Sequence, residues 1–493
     1  VTLPRPYSES DDEVVVDGCV RGDRDAYEVL ETRHGPLAEV VMLRELGTAA
    51  ESEHELEQMR DALWDHLARQ GGAALRAWTP RESTLRAWLC VIARGVARRQ
   101  AESSTTRASI VAFFPTPPVL HMRDVEAEQS AILVHDLLER LPPTSGALVR
   151  LRLRGMDREQ IAAAVGQAQA VIVASFERIA ARIGEEVEKG GEGAAKLATE
   201  AYRIVLGAAD AAERTRAAVR TEDDEAFRGA RTMAEATWRS VRARVLGKKA
   251  PHTALCLDEK AIAGFVDGTM RGAARARSEG HVGSCARCVD EVATLSTDLR
   301  IVPVLRDAAG LDRAVAVAAG CLAATRFEAA RRVAGLVRGE EERDRRAARD
   351  VERLARAAAS LHGGRPAPTN EVSGLVVRGL PSDEEAPLVA FEALARDDAH
   401  AAFRAIDDHT ARHPVAARLR LLAAGAGEDP VRARSLAGDV MSKPRADRGA
   451  LEDATCVLAL AEGRTLPRES VVERLRDVLP DVIRVTLARV ARS

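Results

Sequence analysis

Four residues constrain this chain more than any others: Cys256, His281, Cys285 and Cys288. The last three form H-x3-C-x2-C, and Cys256 precedes the histidine by 25 positions (281 − 256). Thiolate sulfur and imidazole nitrogen are the ligands that tetrahedral zinc prefers, and short spacings let one turn or knuckle present two or three of them. Four such ligands leave no open position, so a structural Zn2+ site is expected on a small helical element. His252 competes with Cys256 for the upstream position. A segment with so little aliphatic core would rely on the metal for folding. Oxidation of the thiolates with loss of metal is an alternative use of the same residues.

The rest of the chain reads as helix. Alanine dominates and aromatic residues make up only 3%, a balance that favours closely packed helices over strands. The expected fold is therefore all-α and, at 493 residues, multidomain. A net charge of −3 gives no global attraction to nucleic acid, so DNA contact needs a local basic patch. Cys19, Cys90, Cys321 and Cys456 are scattered at apolar positions without a disulfide framework, which suits a reducing compartment. Val1 to Asp12 has no basic and apolar signal pattern. The longest apolar run, Ala314 to Ala324, is too short to span a bilayer. A cytoplasmic protein with no membrane partner is expected.

Helical periodicity fills residues 13–103, with apolar residues three and four apart. A linker at 104–125 holds Pro115, Pro117 and Pro118. Helices resume over 126–185, and 194–247 reads as a helical connector. The cysteine–histidine segment occupies 254–298, and a helical segment follows at 300–362. Within it, the charged stretch Glu340 to Glu352 reads as a solvated helix face. The last domain, 376–493, alternates helices with short breakers, as helical hairpins of the tetratricopeptide kind or a plain bundle would. A protein ligand is the expected partner of such hairpins.

Residues 1–185 resemble the extracytoplasmic-function sigma factors, promoter-recognition subunits of bacterial RNA polymerase. The likeness is carried by Val20 to Leu30, by Leu75 to Arg94, by Leu137 to Pro143 and by Met156 to Gly166, in the order of regions 2 and 4 of that family. It implies a region 2 bundle over 13–103 that opens promoter DNA, and a region 4 helix-turn-helix over 126–185. RNA polymerase core and promoter DNA are the implied partners. Glu57 and Asp61 fall where the family grips the polymerase. Trp78, Arg86 and Trp88 fall where it reads separated strands.

The residues themselves agree in part. Thr84 to Gln100 holds Arg86, Arg94, Arg98 and Arg99 and no acid, so guanidinium groups could follow a phosphate backbone while Trp78 and Trp88 stack on bases. Equally, the tryptophans could be core and the arginines a solvated stripe. The helix from Ala170 to Arg178 departs from the family by placing Val173 and Ser175 where basic side chains are typical. Arg178 is its remaining basic candidate. Arg60 likewise interrupts the acidic face around Glu57 and Asp61.

The stretch Leu255 to Leu295 resembles the zinc-binding anti-sigma domain, whose upstream ligand falls on Cys256. No nucleophile–base constellation, phosphate loop or H-E-x-x-H pattern is visible, so no enzymatic activity is expected. The combined expectation is a transcription initiation regulator with a fused zinc-binding regulatory domain. A sigma-derived scaffold that no longer reads promoter DNA is the alternative.

Overall fold

The computed structural model describes residues 7, 9–46, 53–108, 122–187, 192–246, 253–337, 341–363, 385–407, 414–427, 429–443, 447–461 and 463–492. Every regular element among them is a helix, as the low aromatic and high alanine content predicts. The chain divides into two compact units, Val1–Ala209 with Asp224–Arg300, and Asp210–Asp223 with Ile301–Ser493.

The first unit opens with α1 (Asp12–Val20), α2 (Arg24–Leu46), α3 (Glu53–Arg76) and α4 (Leu85–Ala108). α1 packs on α2 and α3, and α4 packs on both α2 and α3. α3 is broken at Arg69 to Gly72, where the backbone leaves helical geometry. α4 is the hub, burying Leu85, Trp88, Leu89, Ile92 and Val96. It runs through Ala108, beyond the expected boundary at 103. The three prolines of the expected linker lie outside the described residues.

A second group follows: α5 (Met122–Glu139), α6 (Pro143–Leu153), α7 (Arg158–Val165), α8 (Gln169–Val187) and α9 (Glu192–Leu206). Local chemistry sets the α7–α8 corner. Asp157 Oδ1 accepts from the backbone of Glu159 and Gln160 at 3.0 and 2.9 Å, while Gln160 Oε1 accepts from Asp157 N at 3.0 Å. This reciprocal cap starts α7. Gly166, at φ +68°, ends it in the left-handed conformation that glycine adopts without steric cost.

The expected connector at 194–247 is not one segment. α9 and α11 (Glu225–Leu246) pack on each other and on α8 and α5 in the first unit. α10 (Ala211–Asp223) belongs to the second unit. Alanines at 211, 212, 217 and 218 give α10 a buried face, which separates it from its neighbours in sequence.

The cysteine–histidine segment folds as α12 (Glu259–Val266), α13 (Gly272–Val282) and α14 (Ala286–Leu299). Its apolar residues do not form a core of their own. Phe265, Val282, Val289 and Val292 join Leu137, Leu151, Ile161, Phe176 and Ile183 in one buried cluster.

In the second unit, α10 joins α15 (Val302–Asp307), α16 (Arg313–Ala323), α17 (Phe327–Gly335) and α18 (Glu342–Gly363). The helices Ala386–Ala395, Ala399–Asp407, Pro414–Ala426, Pro430–Met441, Arg448–Leu458 and Arg468–Arg492 complete it. Neighbours in sequence pack as hairpins, and the last helix also lies against α18. The expected pieces 300–362 and 376–493 therefore belong to a single unit. The charged stretch is likewise only partly solvated. Asp344 and Asp350 are buried; Asp350 pairs with Arg489, and Arg353 with Glu392 at 2.7 Å. Among the described residues, no helix is long and apolar enough to cross a membrane.

Candidate metal centre and the basic helix

Local geometry brings the four sequence-predicted ligands together. Cys256 closes a turn in which its N–H donates to Thr253 O at 3.0 Å. His281 lies in the last turn of α13, Cys285 is the N-cap of α14, and Cys288 follows in its first turn. The ligand atoms of Cys256, His281, Cys285 and Cys288 all lie within 4.8 Å of one another. Cys256 Sγ and Cys285 Sγ are 3.9 Å apart, close to the ~3.8 Å edge of a tetrahedron with zinc–sulfur bonds of about 2.3 Å. His281 Nε2 stands 3.2 Å from Cys288 Sγ.

Backbone donors reach two of the sulfurs. Thr253 N–H donates to Cys256 Sγ, and Leu257 N–H to Cys288 Sγ, each at 3.4 Å. Cys285 and Cys288 sit at the positive end of the α14 dipole. The Thr253 hydrogen bonds lower the Cys256 thiol below its ordinary range. Burial pushes the Cys288 thiol up to about 12, the behaviour of a buried sulfur without a cation. The donor set thus fits a four-coordinate metal ion such as zinc. His252, the rival upstream ligand, lies outside the described residues. Cys19, Cys90, Cys321 and Cys456 are buried and form no disulfide.

The segment is docked by contacts that its ligand pattern does not reveal. Gly264 of α12 approaches the loop before α4 so closely that a Cβ there would lie 2.0 Å from Glu82 O. Thr269 Oγ1 donates to the same carbonyl at 2.7 Å, and Thr84 N–H donates to Asp267 Oδ2 at 2.6 Å. Gly264→Ala is therefore expected to dislodge α12 without touching a ligand, at a cost of about 1–3 kcal/mol for forced overpacking. An unchanged urea midpoint for unfolding of the first unit would contradict this. On the other side, Arg275 of α13 stacks on Phe265 at 4.9 Å and donates to Phe265 O and Ala164 O, each at 3.2 Å. It thereby satisfies a carbonyl at the end of α7. Arg275 thus ties α13 to the α7–α8 corner.

α14 reaches helices from both groups. Arg94 donates to Glu291 Oε2 and Asp298 Oδ2, each at 2.7 Å, and Arg98 Nη1 to Glu291 Oε1 at 2.6 Å. Arg44 of α2 donates to Asp298 Oδ1 and, at 3.3 Å, to Thr294 O. Arg154, just past α6, pairs with Asp290. Burial works against the charge on Arg94, but Asp298 and Glu291 outweigh it and raise its pKa.

The other sequence candidates are placed as follows. Trp78 and Trp88 are core residues, 9% and 2% exposed, and Trp78 Nε1 donates to Ser83 O at 2.9 Å. Neither ring is presented for base stacking in this arrangement, because α4 needs both to close the first bundle. Arg86 is half-buried and Arg99 exposed. The arginines thus do not form a single stripe: Arg94 faces inward to α14 while Arg99 faces out. Arg178 is exposed and donates to Ser175 Oγ at 3.3 Å; that hydroxyl itself donates to Val171 O at 2.8 Å. Glu57 and Asp61 are both exposed, one turn apart on α3. Sequence reasoning missed Arg44, Arg154, Asp290, Glu291 and Asp298. The available signal was acids at 291 and 298, two turns apart on one helix face.

A scan against family models, a search of curated proteins and a search of solved structures each return no match.

Proposed function

We propose that this protein regulates transcription initiation through a sigma-factor-like module restrained by its own zinc-binding, anti-sigma-like segment. On this reading α1–α4 are a region 2 bundle and α5–α8 a region 4 helix-turn-helix. Cys256, His281, Cys285 and Cys288 hold Zn2+ as a structural ion, and α12–α14 is the regulatory element. One observation carries the reading. The segment with the ligand cluster packs on α4 and on α6 and α7 together, with its carboxylates on two of the arginines expected to meet DNA. A regulator that holds two promoter-reading parts closed needs such an arrangement. Tethering in one chain supplies the high effective concentration. RNA polymerase core is the proposed partner of the exposed Glu57 and Asp61 face, and the second unit is the proposed receiver of a protein signal.

The test uses the full chain, because truncation near residue 210 or 300 would separate α10 from its unit. Purified protein is expected to carry one zinc per chain and to co-purify with polymerase core. Weakening the hold of α14 is expected to raise promoter opening. Failure of both wild type and released variant to bind core or open any promoter would sink the proposal.

A second reading, a sigma-derived scaffold, is favoured by α8. Its Ser175 hydroxyl is turned into the helix, Val173 is half-buried, and Arg178 is tied to Ser175. Under that reading neither the wild-type nor the released protein binds DNA, even at low salt.

A further inference from the structure

We infer that α14 is an internal stand-in for a nucleic-acid backbone, and that Arg44 and Arg154 belong with Arg94 and Arg98 to one anion-binding face that α14 occupies. The inference rests on the reading above that this unit handles DNA, and adds to it the residues and the manner of blocking. Four guanidinium groups from three regions, α2, α4 and the end of α6, converge on three carboxylates of a single helix.

The carboxylates are arranged on two edges of α14. Glu291 and Asp298 stand seven residues apart on one edge, about 10 Å along the axis. Asp290 lies about 100° around the helix and meets Arg154. Between the edges, Cys288, Val289, Val292 and Leu295 are buried. The helix thus inserts by its apolar side and meets basic groups on both flanks.

Glu45, 2.5 Å from Arg98, is the one acid outside α14 that these ion pairs include. Removing α14 takes three carboxylates away from Arg44, Arg94, Arg98 and Arg154, which shifts this face towards the positive charge that suits a polyanion. α14 is also an incomplete ligand. Asp298 and Glu291 take both terminal nitrogens of Arg94, yet Arg94 Nε is buried without a hydrogen-bond partner. A guanidinium offers a fork of donors that a phosphate can fill more fully.

The test measures binding of a labelled single-stranded 20-mer oligonucleotide to the full chain by anisotropy over a salt series. Hydrogen exchange of α14 and α4 amides reads release of α14 independently. Glu291→Gln with Asp298→Asn is expected to raise exchange in α14 and to tighten oligonucleotide binding at least about tenfold, since several phosphate contacts become available. In that background, Arg44→Ala or Arg154→Ala is expected to weaken binding several-fold and to reduce the salt slope by about 0.7 each. Should the double variant lose helical circular dichroism, Glu291→Gln alone carries the same comparison. Release of α14 with binding indifferent to Arg44 and Arg154 overturns the inference and leaves the DNA reading standing. Release with no binding at low salt overturns the DNA reading, and the inference with it. Unchanged exchange and unchanged binding in both variants show that α14 does not guard the face.

Discussion

Chelating the metal from the full chain, or replacing Cys288 by serine, is expected to unfold residues 253–285 while leaving α1–α3 folded. Cys288 is 1% exposed, and its sulfur accepts from Leu257 N–H beside His281 Nε2. Without the ion, the polar atoms of this pocket face one another with no cation to organise them. Structural zinc contributes roughly 10–16 kcal/mol in isolated finger peptides. The effect here should be smaller for α14, because Val289 and Val292 are anchored in the shared core. α12 and α13 have fewer such anchors and should respond first. Hydrogen exchange checks this directly: protection at 253–285 should fall by orders of magnitude with chelator and in Cys288→Ser. Identical exchange with and without chelator would show that the cluster is not a structural metal centre. The pH dependence has a definite sign. Zinc takes the thiolate, so binding must displace the proton from Cys288, whose thiol burial pushes up to about 12. Affinity should therefore fall as pH falls and protons compete with the ion.

The second large effect is expected at Arg94. Replacing it with methionine leaves Asp298, itself 2% exposed, with Arg44 as its remaining guanidinium partner, and Glu291 with Arg98 and Arg287. Removing one member of a buried ion pair costs about 3–5 kcal/mol, because the partner charge stays desolvated. Removing both members with apolar residues of similar size costs much less. Arg94→Met should therefore destabilise the first unit by several kcal/mol, and Arg94→Met with Asp298→Leu should recover much of that. Urea unfolding of the two singles and the double closes the cycle. Additive single effects would mean that the pair is not energetically coupled, and that α14 is held by its apolar side alone.

The all-helical class and the ligand set were both legible in sequence, for different reasons. Helicity is a local property, written in alanine content and three- and four-residue spacing. The H-x3-C-x2-C spacing is local too, whereas Cys256 was preferred to His252, an equally suitable ligand type, on its spacing and on the resemblance described above. What was not legible depends on long-range pairing. Trp88 and Arg94 lie six residues apart on one helix. Nothing in that spacing says that the ring fills the bundle while the guanidinium meets an acid 204 residues away at Asp298. The stretch 194–247 failed as a single element for a similar reason. Its uniform alanine and charge content hides that α10 and its neighbours bury their faces in different units. The charged run from Glu340 to Glu352 looked solvated because its signs are mixed; the donor to Asp350 is Arg489, close to the other end of the sequence.

The placement of α10 has a consequence for how the protein is made. Arg214 pairs with Glu473, Arg464 with Asp223, and Cys456 Sγ lies against Ala211 O. The helix Arg448–Leu458 that covers α10 begins 225 residues after α10 ends (448 − 223). At roughly 5–20 residues per second on the ribosome, the nascent chain carries that alanine face uncovered for about 10–45 seconds. The first unit can finish during that wait, so its partner must be completed around a segment that emerged long before.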